Sequence, residues 1–440
     1  MLDAMPALNP ARKKVYDYYQ LEFMDNGYPG KRTEDGIIPH PIYGTYVISD
    51  YLSQYKRTGN ESLLAAIHRV SDAAREQMTE IEGGLLFFYP PGISGYDTSF
   101  ASGLTQSRYM DVFTRVYHFT KDYKFKELAE AAFRSHLIEV EKGGPLLRWK
   151  GETVIEEYPF RVPTFVQNGW STSLHLLKEY ADYFKDELAN DLFQQSLRSL
   201  ISLLPHYDAR AVASSRYELT RPVILRIIKN GEGELKLKRG HVDIGGQHFA
   251  IGPSPAEERS RFHNRPLSGS ANADGVLIKN PAQINLLLSR AAYPEQNVVE
   301  LEIEATEACQ IVLEVGHGDF SSSAFSGNHK VEWWDRLHRQ ILQGGTNVIR
   351  FVVPWDKIPL VGHPTNFGKR IGDQSYNVYH FIHIDNLLKL NKLSKHPELV
   401  YWAKRWEGYA KEWPDHRIYS KINASFGRLS DDRGILGAEV

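Results

Sequence analysis

The chain has one cysteine, Cys309, among 440 residues. A single cysteine excludes an internal disulfide and a zinc site built from several cysteines. The glycine-rich nucleotide loops and the G-x-S-x-G turn of α/β hydrolases are also missing. Cys309 lies in an alternating stretch, which indicates a small buried side chain rather than a nucleophile.

Charge of one sign is not in excess, since 52 Lys and Arg face 54 Asp and Glu, a formal charge of −2. This balance argues against nucleic-acid or acidic-membrane binding by bulk charge. The longest stretch without a charged residue, 162–177, is shorter than the ~20 apolar residues of a membrane span. The N-terminus lacks the apolar core of a secretory signal. We therefore predict a cytoplasmic protein without a membrane span.

Aromatic residues are abundant, at 12% with 24 tyrosines and 8 tryptophans. Most should pack in the core, and some could form sugar platforms or take part in tyrosine chemistry. The 42% hydrophobic content is that of a globular protein, and the length predicts more than one domain.

The first half of the sequence repeats a helical unit. Residues 61–78 and 126–140 have apolar positions at helical spacing, and Asn60 is a candidate N-cap of the first. A turn, this helix, a Gly-Gly pair and an extended stretch recur about every 60 residues, with a weaker copy before residues 398–413. Alternating inner and outer helices would form an (α/α) toroid or incomplete barrel with a cleft at one end.

Residues 222–373 differ, because short alternating runs separated by glycines replace the helical pattern. Residues 298–305 alternate apolar with acidic side chains, as a half-buried strand does. We predict an α+β multidomain chain in which a jelly-roll-like β-sandwich interrupts the helices. The predicted units are 1–221 (toroid with the cleft), 222–375 (inserted sandwich), 376–417 (closing helices) and 418–440 (polar C-terminal tail).

Two motifs break the helical pattern and could carry chemistry. In Glu156-Glu157-Tyr158-Pro159, like-charge repulsion could raise a carboxylate pKa, or a carboxylate could accept the phenol proton. A strand edge with exposed glutamates explains this motif equally well. His380 and His383 share one helix face and could bind metal, but no third ligand has a convincing spacing. Histidines with satisfied hydrogen bonds, or histidines that contact an anion, are favoured over a metal site.

At these motifs the chain resembles the catalytic helical domain of the D-glucuronyl C5-epimerase family. The resemblance covers about residues 90–221 and 376–412, with its segments in family order. Its residues are Gly95-Tyr96 with Ser99, Ala101, Gly103 and 120–122; 156–159 with Phe165-Val166, Asn168-Gly169 and Ser173-Leu174; 203–205, Tyr207-Asp208 and 217–219; and Tyr379-His380, His383-Ile384 and Leu387. The sequence departs from the family in its inserted β unit and in Arg221, which falls one place late.

The resemblance implies an enzyme that inverts C5 of glucuronate within a polymer, giving iduronate without a cofactor or metal. The implied proton carriers are Tyr158, Tyr217 and Tyr379, aided by Glu157. Because the carbanion gains negative charge beside a carboxylate, cations or strong donors should contact it. Candidates for that role are Arg161, Arg216, Arg221, His380 and His383. Further predicted substrate contacts are Tyr96, Gln106, Glu156 and Asn168.

The predicted partner is an anionic, heparosan-like polysaccharide, and a homodimer is left open. Two other functions remain compatible with the sequence. A lyase would use the same carbanion to expel the 4-linked sugar by β-elimination, and a non-catalytic binding protein would use the cleft without turnover. A hydrolase is less favoured, because the acidic residues cluster beside tyrosines instead of facing each other across a bond.

Overall fold

The computed structural model describes residues 5–92, 98–160, 162–244, 246–251, 265–266, 270–272, 275–292, 297–318, 331–353, 369–371, 374–416, 419 and 423–428. Its α-helices are α1 (Lys13–Tyr18), α2 (Tyr43–Thr58), α3 (Glu61–Gln77), α4 (Gly103–Thr120), α5 (Tyr123–Arg134), α6 (Gln167–Phe184), α7 (Glu187–Tyr207), α8 (Val378–Ser394) and α9 (Pro397–Tyr409). Short 3-10 helices cover Pro10–Arg12, Ser135–Leu137, Val140–Lys142, Arg210–Val212, Arg290–Ala292 and Trp413–Asp415.

Among the described residues, the helices from α2 to α9 pair into four helical hairpins. Helices α2, α4, α6 and α8 contact one another in series, and each packs against the helix that follows it. The alternation of inner and outer helices thus agrees with the sequence prediction, whereas closure into a toroid stays a prediction.

The hairpin connections explain the 60-residue repeat. Each inner helix ends at a residue in the left-handed region: Gly59, Lys121, Lys185 or Lys395. The next residue is the N-cap of the outer helix, and its side chain caps that helix in three cases: Asn60, Asp122 and Asp186. The Asn60 cap is confirmed, and the Asp122 cap starts α5 three residues before the predicted position.

Short antiparallel ribbons follow the outer helices. The strands outside the insert are β1 (Leu21–Phe23), β2 (Pro29–Thr33), β3 (Gly36–Pro39), β4 (Thr79–Ile81), β5 (Gly84–Leu86), β6 (Leu146–Trp149), β7 (Glu152–Ile155), β8 (Asp208–Ala209) and β9 (Ser214–Ser215). The pairs β4–β5, β6–β7 and β8–β9 follow α3, α5 and α7, so each ribbon brings the chain out of one hairpin.

The described part of the inserted unit contains two large antiparallel sheets and two strands of a smaller third sheet. Its strands are β10 (Thr220–Asn230), β11 (Leu235–Ile244), β12 (Gln247–Ile251), β13 (Arg265–Pro266), β14 (Ser270–Asn272), β15 (Gly275–Ile278), β16 (Ala282–Ser289), β17 (Asn297–Ala305), β18 (Cys309–Gly318), β19 (Val331–Leu342), β20 (Gly345–Val353), β21 (Lys369–Ile371) and β22 (Gln374–Tyr376). The sheet orders are β13-β16-β10-β18-β19 and β14-β15-β11-β17-β20, with β12 also paired to β11.

The strand pattern read from the sequence is confirmed in β17. Val299, Leu301 and Ile303 are fully buried there, whereas the acidic residues between them face outward. Cys309 is a buried free thiol in β18, as expected. The two-sheet β unit is therefore confirmed, and its jelly-roll topology remains a prediction.

The insert rests on the helical region where the chain leaves it. The backbone N–H of Arg290 donates to the carbonyl of Leu219. The hydroxyl of Thr220 donates to that of Ser289. Buried apolar side chains of the helices and of both sheets belong to one contiguous core.

Part of the segment predicted as a polar tail is packed. Tyr419 is 1% exposed, and its hydroxyl donates to the carbonyl of Val212. Strand β23 (Ala424–Ser425) pairs in parallel with β22. Tyr419 is buried because its ring lies against Trp413, so the predicted polar tail includes a packed residue at this position. The rest of that segment lies outside the described residues. Within the described part, no helix is both long and apolar enough to span a bilayer.

Candidate active site

Phenolic and charged side chains collect near the N-termini of the inner helices. Tyr46 lies in the first turn of α2, Tyr379 in the first turn of α8, and Arg108 near the start of α4. Burial raises the pKa of the Tyr46 phenol to about 12, and Arg108, Tyr379 and Glu157 are all close enough to change it further. Since helix N-termini carry partial positive charge, this end of the helical region suits an anion.

The Glu156 carboxylate holds the segment between β7 and α6 in place. It accepts hydrogen bonds from the Thr164 hydroxyl at 2.6 Å and from the Phe165 backbone N–H at 3.0 Å. Burial raises the pKa of this carboxyl to about 7, although these hydrogen bonds act in the opposite direction. Because the side chain is 1% exposed and engaged with the backbone, its geometry favours a positioning role over the predicted substrate contact.

Glu157 lies against the first turn of α6. A Cβ placed on Gly169 would stand 2.1 Å from the Glu157 Oε2, so only glycine leaves room for the carboxylate. Burial raises the pKa of Glu157 to about 8, and the charges of Glu218 and Glu156 add to the rise, whereas a Tyr158 hydrogen bond and Arg108 oppose it. Its Oε2 is buried and makes no hydrogen bond with any described residue.

The structure brings Tyr158, Tyr217 and Tyr379 together with Glu157. The rings of Tyr217 and Tyr379 lie edge to face, with centroids 4.7 Å apart. Burial raises the pKa of Tyr158 and of Tyr217 well above the usual tyrosine range, and the nearby Glu157 and Tyr379 raise both further. Three sequence segments thus supply phenols to one place.

Tyr158 links the carboxylate to the second phenol. Its hydroxyl is hydrogen-bonded to Tyr217 and also interacts as a donor with Glu157. A phenol has one O–H, so Tyr158 donates to one of these two oxygens at a time. The arrangement can therefore move a proton between Glu157 and Tyr217 through Tyr158.

His380 and His383 are buried beneath this cluster. The Nδ1 of His380 accepts from the Ser215 backbone N–H at 3.0 Å, and its Nε2 lies 2.8 Å from the Trp406 carbonyl. A carbonyl can only accept, so Nε2 carries the proton and the ring is neutral. Burial lowers the pKa of His380 to about 4 and that of His383 well below its usual value. Burial of both rings argues against a cationic form at the substrate carboxylate, and their predicted role as hydrogen-bond donors there stays a prediction.

Arg216 and Gln106, two of the predicted substrate contacts, are buried. Arg216 is 1% exposed, and burial lowers its pKa well below the usual range, with Arg290 adding to the effect and Asp208 opposing it. The Gln106 amide bonds the backbone of Phe87 on both its nitrogen and its oxygen, at 3.4 Å each. The role of both residues as substrate contacts stays a prediction.

Asn168 remains a candidate substrate contact. It lies in the first turn of α6, and its Oδ1 is buried without a hydrogen bond to any described residue. Among the other predicted contacts, Tyr96 and Arg161 lie outside the described residues. Arg221 belongs to β10, but its side chain also lies outside the described part.

The structure adds Arg108, Tyr46 and Glu218 to the candidate site. Arg108 and Glu218 both act on the Glu157 carboxyl, from α4 and from beside Tyr217 respectively. Glu218 is fully buried. Reasoning from the sequence missed all three as site residues.

A cluster of phenols and a raised-pKa carboxyl is typical of enzymes that move protons to and from carbon. Residues 90–229, less than half of the chain, match the family model of the D-glucuronyl C5-epimerase C-terminus. The resemblance predicted from the sequence is thereby confirmed over this segment.

Partial likeness to two solved structures was also found. The GH76A α-1,6-mannanase from Salegentibacter sp. HEL1_6 is 12% identical, with a TM-score of 0.31, 48% of this chain covered and 53% of that chain. A GH76 α-mannanase from Bacteroides thetaiotaomicron is 13% identical, with a TM-score of 0.32 and coverage of 46% and 55%. The chain thus spans about half the length of these structures, and the likeness carries no information on its reaction.

Proposed function

We propose that this protein is a polysaccharide uronate C5-epimerase that converts D-glucuronate to L-iduronate residues within a heparosan-like polymer. The observation that carries the proposal is the gathering of Tyr158, Tyr217 and Tyr379 around Glu157. Two of these phenols lie in the segment that matches the epimerase family, and the third comes from α8, after the β insert.

The chemistry requires two proton-transfer groups and a means of stabilising charge. The C5–H bond lies next to a carboxylate, so its removal gives an enediolate with additional negative charge. One group removes the proton, and another returns a proton to the opposite face of the sugar. The three phenols supply enough acid–base groups for both steps, and Glu157 can receive or return the proton through Tyr158.

The cluster as a whole must lose a proton before it can act as a base. Its most acidic described member is Glu157, because burial leaves the pKa of that carboxyl near 8 while the phenols Tyr158 and Tyr217 lie well above 10. Since these groups are linked by hydrogen bonds, the missing proton belongs to the cluster and not to one residue. Tyr158 or Tyr217 then becomes the base when its own proton moves toward the ionised Glu157.

The enediolate needs positive charge near its carboxylate. Among the described residues, Arg108 is a cation placed beside Glu157 and Tyr46, and the N-termini of α6 and α8 add partial positive charge. Neutral His380 and His383 do not contribute charge. We therefore assign to Arg108 the role that the sequence had suggested for the histidines.

The proposal is tested by incubating the protein in deuterated water with a panel of uronate polymers and reading C5 by proton NMR. We expect label at C5 without shortening of the chain. Tyr158→Phe, Tyr217→Phe and Tyr379→Phe should each lower the exchange rate at least ~100-fold, since one proton carrier is worth about 10²–10⁴. Tyr123→Phe is the control, because this tyrosine is 65% exposed on α5.

The same experiment separates the alternatives. Unsaturated chain ends, detected by their absorbance in the near ultraviolet, would indicate β-elimination in place of epimerisation, because both reactions share the carbanion. Binding without label on any polymer would favour a non-catalytic carbohydrate-binding protein and overturn both enzymatic proposals.

A further inference from the structure

A second group of aromatic residues extends from the candidate site toward the surface. We define the N-terminal aromatic cluster as Tyr18, Tyr19, Tyr43 and Tyr46. The ring of Tyr19 lies 5.2 Å from Tyr18, 5.7 Å from Tyr43 and 5.9 Å from Tyr46, measured between centroids. Tyr18 is 46% exposed, whereas Tyr43 is 2% exposed. The cluster therefore forms a graded path from solvent into the helical region.

The inner end of this path meets the proton-transfer groups. Tyr46 is electrostatically coupled to Tyr379 and Glu157, as described above. His40 stacks on Tyr43 at 3.9 Å and meets the edge of Tyr89 at 5.3 Å. The cluster is thus continuous with the candidate active site, although it lies wholly outside residues 90–229.

A further contact runs from Tyr89 back to the proposed proton carriers. Tyr89 stacks on Phe100 at 4.8 Å, and Phe100 lies 5.6 Å from Tyr158. Aromatic rings therefore reach the Glu157 cluster both through Tyr46 and through Phe100. A bound chain could contact the N-terminal aromatic cluster while one of its sugars lies at Tyr158.

Arg108 gives the cluster a charge that fits the proposed substrate. Burial raises the pKa of the Tyr19 and Tyr46 phenols, and the Arg108 guanidinium acts on both in the opposite direction. The Arg108 guanidinium therefore acts electrostatically on the phenols of both Tyr19 and Tyr46. Ring faces stack on the apolar faces of sugars, and a guanidinium pairs with carboxylates, so the combination suits an acidic sugar.

We propose that Tyr18, Tyr19, Tyr46 and Arg108 form a subsite for a non-reacting sugar of the same anionic polysaccharide. This inference rests on the proposed function for the identity of the polymer. It assigns residues 18–46, before the segment that matches the family, to substrate binding. The subsite would hold the chain on one side of the reacting sugar, and short substrates would not reach it.

The test measures binding and C5 exchange for Tyr18→Ala, Tyr19→Ala and Arg108→Gln. Tyr43 donates its hydroxyl to the backbone carbonyl of Tyr19, so this contact survives truncation of the Tyr19 ring. Tyr18→Ala removes an exposed ring and does not threaten folding. Tyr401→Ala and Arg134→Gln are matched controls, since these side chains are exposed on the outer helices α9 and α5.

We expect the dissociation constant for a long heparosan chain, measured by calorimetry, to rise about threefold to tenfold in each tyrosine variant. Exchange on a saturating tetrasaccharide should fall much less in these two variants than exchange on the polymer at low concentration. Wild-type affinity in all three variants would overturn the subsite. If wild-type protein binds without labelling C5 and the variants bind more weakly, the subsite stands and the epimerase proposal fails.

Discussion

Replacing Gly169 with alanine should displace the Glu157 carboxylate. The added methyl group would lie 2.1 Å from Oε2 and 2.8 Å from both Cβ and Cδ of Glu157. Ordinary carbon contacts begin near ~3.5 Å, so the side chain must move by about 1 Å. Rotation of the carboxylate alone does not relieve the contact, because Cβ is also too close.

The expected magnitude has two parts of opposite sign. Overpacking a buried position costs about 1–3 kcal/mol, whereas alanine favours a helix interior by about 1 kcal/mol over glycine. The free energy of unfolding should therefore fall by about 0–2 kcal/mol. A displacement of about 1 Å in a proton-transfer group can lower a rate ~100-fold, so the loss of activity should exceed the loss of stability.

The assay combines C5 deuterium exchange with urea unfolding monitored by circular dichroism. Gly408→Ala is the matched control, because Gly408 is also helical but has no heavy atom within 4 Å of the added methyl group. We expect this control to keep full activity and to unfold at the same or slightly higher urea concentration. A Gly169→Ala variant with wild-type exchange would refute the placement of Glu157 in the reaction.

Three further outcomes follow from the same structure. The exchange rate should rise with pH up to about 8, where Glu157 ionises. Glu157→Gln should abolish this rise of the rate with pH. A wild-type rate that does not change from pH 6 to 9 would contradict the role of Glu157. Burial raises the pKa of Glu156 from 4.5 to about 7, so the folded state holds a proton that the unfolded state has lost. As pH rises from 4.5 to about 7, the free energy of unfolding of the wild type should therefore fall by about 3 kcal/mol relative to that of Glu156→Gln. The exposed variant Glu127→Gln should show the same pH dependence of stability as the wild type. Lys185→Gly should raise the free energy of unfolding, measured in urea, by about 1 kcal/mol. Lys185 has a φ of 57° at the position that Gly59 occupies in the first hairpin, and glycine adopts this conformation without strain. A lower free energy of unfolding in this variant would argue against strain at Lys185.

Local signals predicted the elements well. Asn60 as a helix cap and the alternation in β17 depend on near neighbours, so they could be recognised from the sequence. The 60-residue period also indicated the hairpins, because every connection has the same left-handed turn and three of them have a side-chain cap. The connection of β22 to β23 could not be predicted in this way, since a two-residue strand leaves no pattern.

The charge states of the site could not be predicted from residue type. His380 and Arg216 were read as cations because their side chains can be charged, but the structure buries both. Burial lowers the pKa of His380, and the Ser215 backbone N–H and the Trp406 carbonyl, from distant parts of the chain, fix the tautomer of its neutral ring. Arg108 was missed for the converse reason, since its neighbours Tyr46 and Glu157 are on other elements. Electrostatic roles depend on tertiary contacts that spacing does not encode.

The acidic residues of the site need not repel an anionic sugar. Burial keeps the pKa values of Glu156 and Glu157 at about 7 and 8, so at neutral pH much of their negative charge is absent. In the proposed reaction, the protonated Glu157 would then offer a proton, and Arg108 would attract the substrate carboxylate with less competition from Glu157. Above pH 8 the ionised Glu157 enables proton removal, but it also opposes binding of the uronate. In the proposed reaction, one buried carboxyl thus couples proton transfer to substrate charge, which would allow a chain with a formal charge of −2 to act on a polyanion.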